Sequence, residues 1–442
     1  MNRRSFLKGL SLATIFALYP QALNADMSQV EFNEDVFSKN NAQTIMIFLY
    51  GGPSELGANL TNIEEIQLHS QKKYTMSDLR ITENGFWEQA GGDLLEDMLA
   101  NGDLNLFRTC FRKSNTTKSH ENCVSENQRG IMNEDLPMQA SGIFATLGRV
   151  LAEKGKIDPD TTLPFITMEG ESGFFYAGGD EIQSMLRPVA IDEKLTNPYQ
   201  RVLSSRFYTG EELDEDVRVN DSNLSMRFDN IAKSINKNSS LQEVFDKRKE
   251  LESFITSQED QVLPDGISYP ETTFAKKIQT AINILVGNND TKIISLGSAG
   301  LGGWDDHSDA VSAYTNRMKD LIKAIQAGVT HLNTISNTNI NIMVFGDFGR
   351  NVNLNDSLGW DHGNNQNLYI FGGKNYFNHV GVVGKTQLMP LQGNNRIYLE
   401  PTPESYTFEP YSIASTIYKL YGISNPEVLT GGFKEIEAGL LK

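Results

Sequence analysis

Asp305, His307, Asp347, Asp361 and His362 have the residue types of a metal centre, and each lies beside a glycine turn. Asp305 and His307 follow the glycine-rich segment 297–303, Asp347 ends the apolar run 340–345, and Asp361-His362 sit in the loop before a second apolar run, 368–371. Carboxylate oxygen with imidazole nitrogen suits zinc, manganese or iron, whereas an all-oxygen set would suit magnesium or calcium. Asp305 and His307 are two apart, so in extended backbone both side chains point the same way and can share one ion. Asp361 and His362 are adjacent; they reach one ion only from a turn, or each serves a different ion. One or two divalent ions are expected, zinc or manganese first. A two-ion site activates a nucleophile and neutralises charge on a transferring phosphoryl or sulfuryl group.

Other side chains add to this set. The polar loop 112–128 carries Thr116, Thr117 and Ser119 beside His120, a grouping that offers a nucleophile with its base or metal, or serves simply as a solvated connection. Arg350, three residues after Asp347, either binds a substrate oxyanion or bridges to a structural carboxylate. Trp304 and Trp360 each precede a candidate ligand, as a wall of the site or as core packing. His69 and His379 have no partner motif and read as surface residues, and His331 reads as a surface or boundary residue.

The elements that must position these groups follow from periodicity. Short apolar runs at 44–50, 104–111, 163–168, 292–296, 340–345 and 368–371 read as strands, and several stop at Gly-rich turns. Helical spacing marks 91–99, 142–154, 274–286 and 410–421, with a long helix whose stripe runs Val311, Tyr314, Met318, Leu321, Ile325, Val329 and Leu332. Strand, loop and helix alternate, which implies an α/β fold, a mostly parallel sheet with helices on both faces. Ligands in such sheets sit beyond the carboxyl ends of the strands, where the candidates fall.

The first 25 residues, with Asn2-Arg3-Arg4-Ser5-Phe6-Leu7-Lys8 and a short apolar stretch, read as a twin-arginine (Tat) signal peptide, cleaved near Ala25. That stretch is too short to span a bilayer. The expected mature chain is a single domain, 26–442, periplasmic or extracellular, with no stable membrane insertion. Segment 170–270, poor in strands and rich in charge, with helical patterns near 227–235 and 241–255, reads as a cap or insertion. A formal net charge of −17 over 442 residues, with no cluster of Lys and Arg, argues against nucleic acid as a partner. The two cysteines, Cys110 and Cys123, form a disulfide or remain as two buried thiols.

In order along the chain, Phe48-Leu-Tyr-Gly-Gly-Pro-Ser54, Gly302-Gly-Trp-Asp-Asp-His307, Phe345-Gly-Asp-Phe-Gly-Arg350, Gly359-Trp-Asp-His-Gly363 and Phe371-Gly-Gly373 resemble the signature of the DUF1501 family. That family is a group of exported proteins of the alkaline phosphatase/sulfatase-like superfamily. The resemblance implies an alkaline phosphatase-like core and metal ligands by position at Asp305, His307, Asp347 and His362, with Asp361 beside them. It departs in two places. After the first strand, where the superfamily has an Asp ligand, only Glu55 can stand in, and Asp347 replaces the family's Glu before Phe-Gly-Arg. No hydroxyl matches the superfamily nucleophile, leaving Thr116, Thr117 and Ser119 as candidates by location. The function so implied is an exported metal-dependent hydrolase of a phosphate or sulfate ester, its substrate an anionic ester or a surface polysaccharide. The alternative is a non-catalytic relative serving as a cell-surface binding or assembly factor.

Overall fold

The computed structural model describes residues 27–132, 140–178, 184–191, 254, 262–298, 300–390 and 395–442. The expected N-terminal signal and most of the expected cap, including the helices expected near 227–235 and 241–255, lie outside the described residues. The strands in chain order are β1 (Gln43–Leu49), β2 (Leu104–Phe111), β3 (Phe165–Thr167), β4 (Val189–Ala190), β5 (Ile293–Gly297), β6 (Ile340–Gly346), β7 (Gly349–Arg350), β8 (His362–Gly363), β9 (Asn365–Gly372), β10 (Val382–Val383), β11 (Thr386–Leu388) and β12 (Leu399–Pro401). The α-helices among the described residues are α1 (Glu34–Asn40), α2 (Ile63–His69), α3 (Gly92–Ala100), α4 (His120–Arg129), α5 (Ile143–Glu153), α6 (Thr273–Gly287), α7 (Ala310–Thr334) and α8 (Tyr411–Leu420).

Eight strands form one sheet in the order β10-β2-β9-β6-β1-β5-β3-β4. Every pairing is parallel except those of β9, which runs antiparallel to both β2 and β6. The fold is α/β, as the alternation of elements implied. β1 lies at the centre with all its residues buried, and its side chains alternate between two cores. Ile45, Ile47 and Leu49 face the cluster built with α3, α6 and α7, while Met46 and Phe48 face the one built with α5 and α8. A strand covered on both faces needs apolar residues at every position, and the run Ile45–Leu49 supplies them.

The strands from the runs 340–345 and 368–371 are antiparallel neighbours within this mostly parallel sheet. They pair as two arms of one hairpin, with Val344 opposite Tyr369 and Asn341 opposite Gly372. The start of β9 therefore lies beside the end of β6, and everything carried on the connection is held at that one edge. A second, smaller ladder inside the connection, β7 with β8, sets Gly349 opposite Gly363 and Arg350 opposite His362.

Part of the loop expected at 112–128 is helix α4. Its sequence is mostly polar, with Cys123 and Val124 as its apolar members, so it lacks the apolar stripe that marks a helix, yet Cys123, Glu126, Asn127 and Gln128 are buried. Polar contacts hold that face. Arg112, fully buried, pairs with Glu126 at 2.7 Å, and Tyr411 donates to the same carboxylate oxygen at 2.8 Å. Asn127 Nδ2 donates to the carbonyls of Gly346 and Asp347 at 2.9 and 3.0 Å, tying α4 to the end of β6.

His331 is buried rather than at the surface, its Nδ1 lying 3.0 Å from the Tyr269 hydroxyl. His69 and His379 are exposed. Cys110 and Cys123 are both free, buried thiols, so the disulfide alternative is not what the chain adopts. Among the described residues no helix is long and apolar enough to cross a membrane.

Candidate metal centre

Three histidines from three elements point their outer ring nitrogens at one carboxylate. His120 is the first residue of α4, His307 lies in the loop after β5, and His362 opens β8. Their Nε2 atoms stand 3.3, 3.0 and 3.6 Å from Asp305 Oδ1, and those of His307 and His362 are 3.0 Å apart.

Each ring is fixed through its other nitrogen. His120 Nδ1 bonds Asp347 Oδ2 at 2.6 Å, His307 Nδ1 bonds Asp361 Oδ1 at 3.2 Å, and His362 Nδ1 bonds the Lys118 carbonyl at 2.7 Å. A carboxylate or carbonyl oxygen accepts only, so the ring proton belongs on Nδ1 in all three cases and the neutral ring presents a lone pair at Nε2. Two lone pairs 3.0 Å apart, facing a carboxylate, repel unless a cation lies between them.

The dimensions fit such a cation. Tetrahedral zinc with bonds of about 2.0–2.1 Å places its ligand atoms roughly 3.3–3.4 Å apart, close to the four separations measured here. His120 Nε2 makes no hydrogen bond although it is buried, which fits a metal-ligand atom. A metal-bound imidazole held from behind by a carboxylate or carbonyl is the usual outer-sphere arrangement. Ligand atoms of His120, Asp305 and His362 lie mutually within 4.8 Å, close enough to hold one ion.

Asp347 and Asp361, expected as ligands, are thus placed one step outside. They orient His120 and His307, and Asp361 is held in turn by Arg396 Nε at 2.7 Å. Asp347 is fully buried, and its Oδ1 has no hydrogen-bond partner among the described residues. The hydrogen bond that His120 donates to Asp347 is the main influence raising the His120 imidazole above its ordinary value, against the opposing effect of burial. His362 is pushed the other way, chiefly by burial and then by the charge of Arg350. Burial works to raise Asp305, but the hydrogen bond and charge of Arg350, with the charges of His307 and His120, hold it below the usual carboxylate range.

Of the two parts expected for Arg350, the structure shows the bridge to a carboxylate. Its side chain is fully buried and bridges to Asp305 Oδ1 through Nη2 at 2.5 Å. The remaining N–H groups donate to the carbonyls of Gly51, Gly52, Trp304 and Trp360, with His307 Nε2 3.4 Å from Nη1. It fastens the turns after β1, β5 and β6 to one another. Gly51 is needed at that junction: its φ is +111°, and a Cβ there would lie 2.5 Å from the Asp305 nitrogen.

Glu55, the only acid after the first strand, does not reach the cluster. It is buried, accepting from the Arg350 backbone N–H and from Asn365 Nδ2, both at 3.3 Å. Burial pushes its carboxyl up to about 8. The candidate nucleophiles are also turned elsewhere. Thr116 and Ser119 are exposed, and the Thr117 hydroxyl accepts from the Ser119 N–H at 3.4 Å. Both tryptophans are core residues. Trp304 and Trp360 are fully buried with their rings edge-on to Tyr314 of α7, at 6.0 and 5.4 Å between centroids.

Sequence reasoning named His120, Asp347 and His362, but not every group that fixes them. The Lys118 carbonyl and Arg396 were missed because a backbone oxygen has no sequence signature and Arg396 lies in a separate segment. Phe348, within the Gly-Asp-Phe-Gly-Arg motif, packs against both His120 and His362 at 4.6 Å between centroids.

The sequence profile of a family described as "Protein of unknown function (DUF1501)" matches residues 178–434, more than half of the 442-residue chain. The chain belongs to the DUF1501 family. Within that match lie Asp305, His307, Asp347, Arg350, Asp361 and His362, whereas His120 precedes it. No curated protein sequence matches this DUF1501 chain. Among solved structures it is similar to the alkaline phosphatase of the Antarctic bacterium TAB5, at 10% identity and TM-score 0.33, over 86% of this chain and 98% of that one. A second is the C-terminal periplasmic domain of EcEptC from Escherichia coli in complex with Zn, at 10% identity and TM-score 0.37, over 92% and 90% of the two chains. A third is the lipoteichoic acid synthase LtaP from Listeria monocytogenes, at 10% identity and TM-score 0.35, over 94% and 80%. Likenesses this distant say nothing about activity here.

Proposed function

We propose that this DUF1501 chain is an exported hydrolase of a phosphate or sulfate ester that works with one divalent cation, zinc or manganese. The observation that carries the reading is the convergence of His120, His307 and His362 Nε2 on Asp305 Oδ1, with every ring fixed from behind. When bound, the ion supplies Lewis acidity toward the ester's non-bridging oxygens and a lowered pKa for water. Arg350 supplies a second positive charge beside Asp305, so one ion suffices where two would otherwise share the carboxylates.

The residues then divide the work. Asp361, accepting from His307 Nδ1, orients that ring so that its Nε2 lone pair would face the ion. Water, rather than Thr116 or Thr117, is the nucleophile. Its oxygen bonds to phosphorus or sulfur, the bond to the alcohol oxygen breaks, and one proton passes to the departing alkoxide. The substrate is an anionic ester, on a surface polysaccharide in the broadest form of the reading. Export rests on the twin-arginine segment at residues 2–8, with the Tat machinery as the transport partner.

A non-catalytic binding or assembly role is the second reading, favoured by one observation: among the described residues no Ser or Thr hydroxyl contacts the cluster. Metal analysis of protein purified without chelator, with a panel of phospho- and sulfo-esters, separates the two. Bound metal with turnover is the expected result. Bound metal without turnover of any ester supports the binding role, and protein that takes up neither zinc nor manganese overturns both the metal centre and the hydrolase.

A further inference from the structure

The helix that carries His120 is held at two points by one residue. His120, the first residue of α4, reaches Asp347 Oδ2 through Nδ1 at 2.6 Å, and Asn127, seven positions later, donates from Nδ2 to the carbonyls of Gly346 and Asp347 at 2.9 and 3.0 Å. Seven residues make two helical turns to within about 20°, so both side chains leave the same face of α4. Asp347 thus meets that face twice, once through its carboxylate and once through its backbone. Gly346 is fixed from β9 as well, since Gln366 Oε1 accepts its N–H at 3.0 Å. Two buried amides therefore clamp the end of β6.

Behind Asn127 stands a buried charge. Arg112 donates through Nη2 to Asn127 Oδ1 and to the Cys123 carbonyl, and through Nη1 to Glu126 Oε2 at 2.7 Å. Both oxygens of Glu126 are used: Tyr411 donates to Oε2 at 2.8 Å and Asn115 Nδ2 to Oε1 at 2.7 Å. A shift of α4 would leave a charge or an amide unpaired in the interior, so the helix has one favourable seating. An apolar stripe tolerates small slips along and around a helix axis, whereas hydrogen bonds of fixed length and direction do not.

We propose that Asn127 is a positioning residue of the metal centre: held by Arg112, it sets the rotation and height of α4 against Asp347 and so aims His120 Nε2 at Asp305. The inference rests on the reading of the histidine cluster as a metal centre and deepens it, by assigning the direction of one ligand to a residue that bonds none of the ligand side chains. Asn127 acts through His120 alone.

The test uses full-length protein and zinc alone, with two readouts. One is the zinc Kd from competition with a chromogenic chelator; the other, in metal-free protein, is the downfield proton resonance of the His120 ring N–H, identified by its loss in His120→Ala. Asn127→Ser is expected to weaken zinc binding about tenfold, the lower end of what loss of an outer-sphere contact costs, and to shift the His120 resonance while those of His307 and His362 stay in place. In a His120→Ala background the same substitution is expected to change zinc affinity by less than about twofold, because the residue it positions is gone. An unchanged Kd in Asn127→Ser, or an equal loss in both backgrounds, overturns the positioning role and leaves Asn127 a structural residue. Should Asn127→Ser not fold, Arg112→Lys carries the same expectations, since lysine keeps the charge toward Glu126 and gives up the fork that spans Glu126 and Asn127. If the unaltered protein binds no zinc, the metal reading falls separately, and a His120 resonance that the substitution leaves unmoved overturns the positioning.

Discussion

Replacing Glu55 by glutamine tests whether the acid after the first strand is a buried, protonated group or a metal ligand. Burial raises its carboxyl from 4.5 to about 8, and neutral donors, Asn365 Nδ2 and the backbone N–H groups of Arg350 and of Glu55 itself, offset only part of the loss of water. The folded protein holds this proton more tightly than the unfolded chain does. Its contribution to stability is complete below about pH 4.5 and is lost as pH rises through about 8. At about 1.4 kcal/mol per unit, the gap of roughly 3.5 units amounts to ~5 kcal/mol, of which about 4 kcal/mol is lost between about pH 5 and pH 9. Glutamine keeps an acceptor for these donors and does not titrate. Denaturant unfolding of the two proteins at those pH values should show the variant gaining on the unaltered protein by on the order of 4 kcal/mol, while metal content per chain stays equal. Parallel pH dependence in both proteins would refute the neutral, buried Glu55. A drop in metal content would make it a ligand after all.

Further outcomes follow from other contacts. Asp347→Asn and Asp361→Asn should each weaken metal affinity by about 10–100-fold without abolishing it, because they loosen His120 and His307 from behind; competition with a chromogenic chelator reads this, and complete loss of the ion would make them ligands. Saturating the centre at about 100 times Kd should raise unfolding stability by about 2.7 kcal/mol, and chelator should reverse it. Gly349→Ala should prevent folding, since a Cβ there would stand 1.5 Å from the Asn365 carbonyl oxygen; soluble, metal-binding variant protein would contradict the tight β7 turn. Thiol titration should find both cysteines unreactive in the native protein and both reactive after denaturation, with no change on prior reduction.

The fold was largely legible because its strands are buried on both faces and interrupted by glycine. The run 104–111 has the bounds of β2 itself, and the stripe from Val311 to Leu332 lies within α7. What periodicity does not encode is strand direction, so the antiparallel β9 was missed. α4 was missed for a different reason: its buried face is Glu126, Asn127 and Gln128, held by specific polar partners rather than by hydrophobic burial. Residue type alone likewise placed Asp305, Asp347 and Asp361 in one category. The structure separates the carboxylate that faces the histidines from the two that stand behind them, a distinction set by side-chain direction. His331 looked peripheral from its position one step off the apolar stripe, but Tyr269 from another segment covers it.

The separation in sequence of the groups at the centre has a consequence for when it can form. His120 and Asp347 meet across 227 positions, and His362 arrives only with the returning arm of the hairpin. Contacts this distant in sequence carry a large loop-closure cost and come late in folding. No shorter N-terminal portion of the chain gathers the whole donor set, so uptake of an ion follows the seating of β9 between β2 and β6. The bound ion then acts as a latch on a completed topology, and the rate of metal uptake during refolding measures that last insertion.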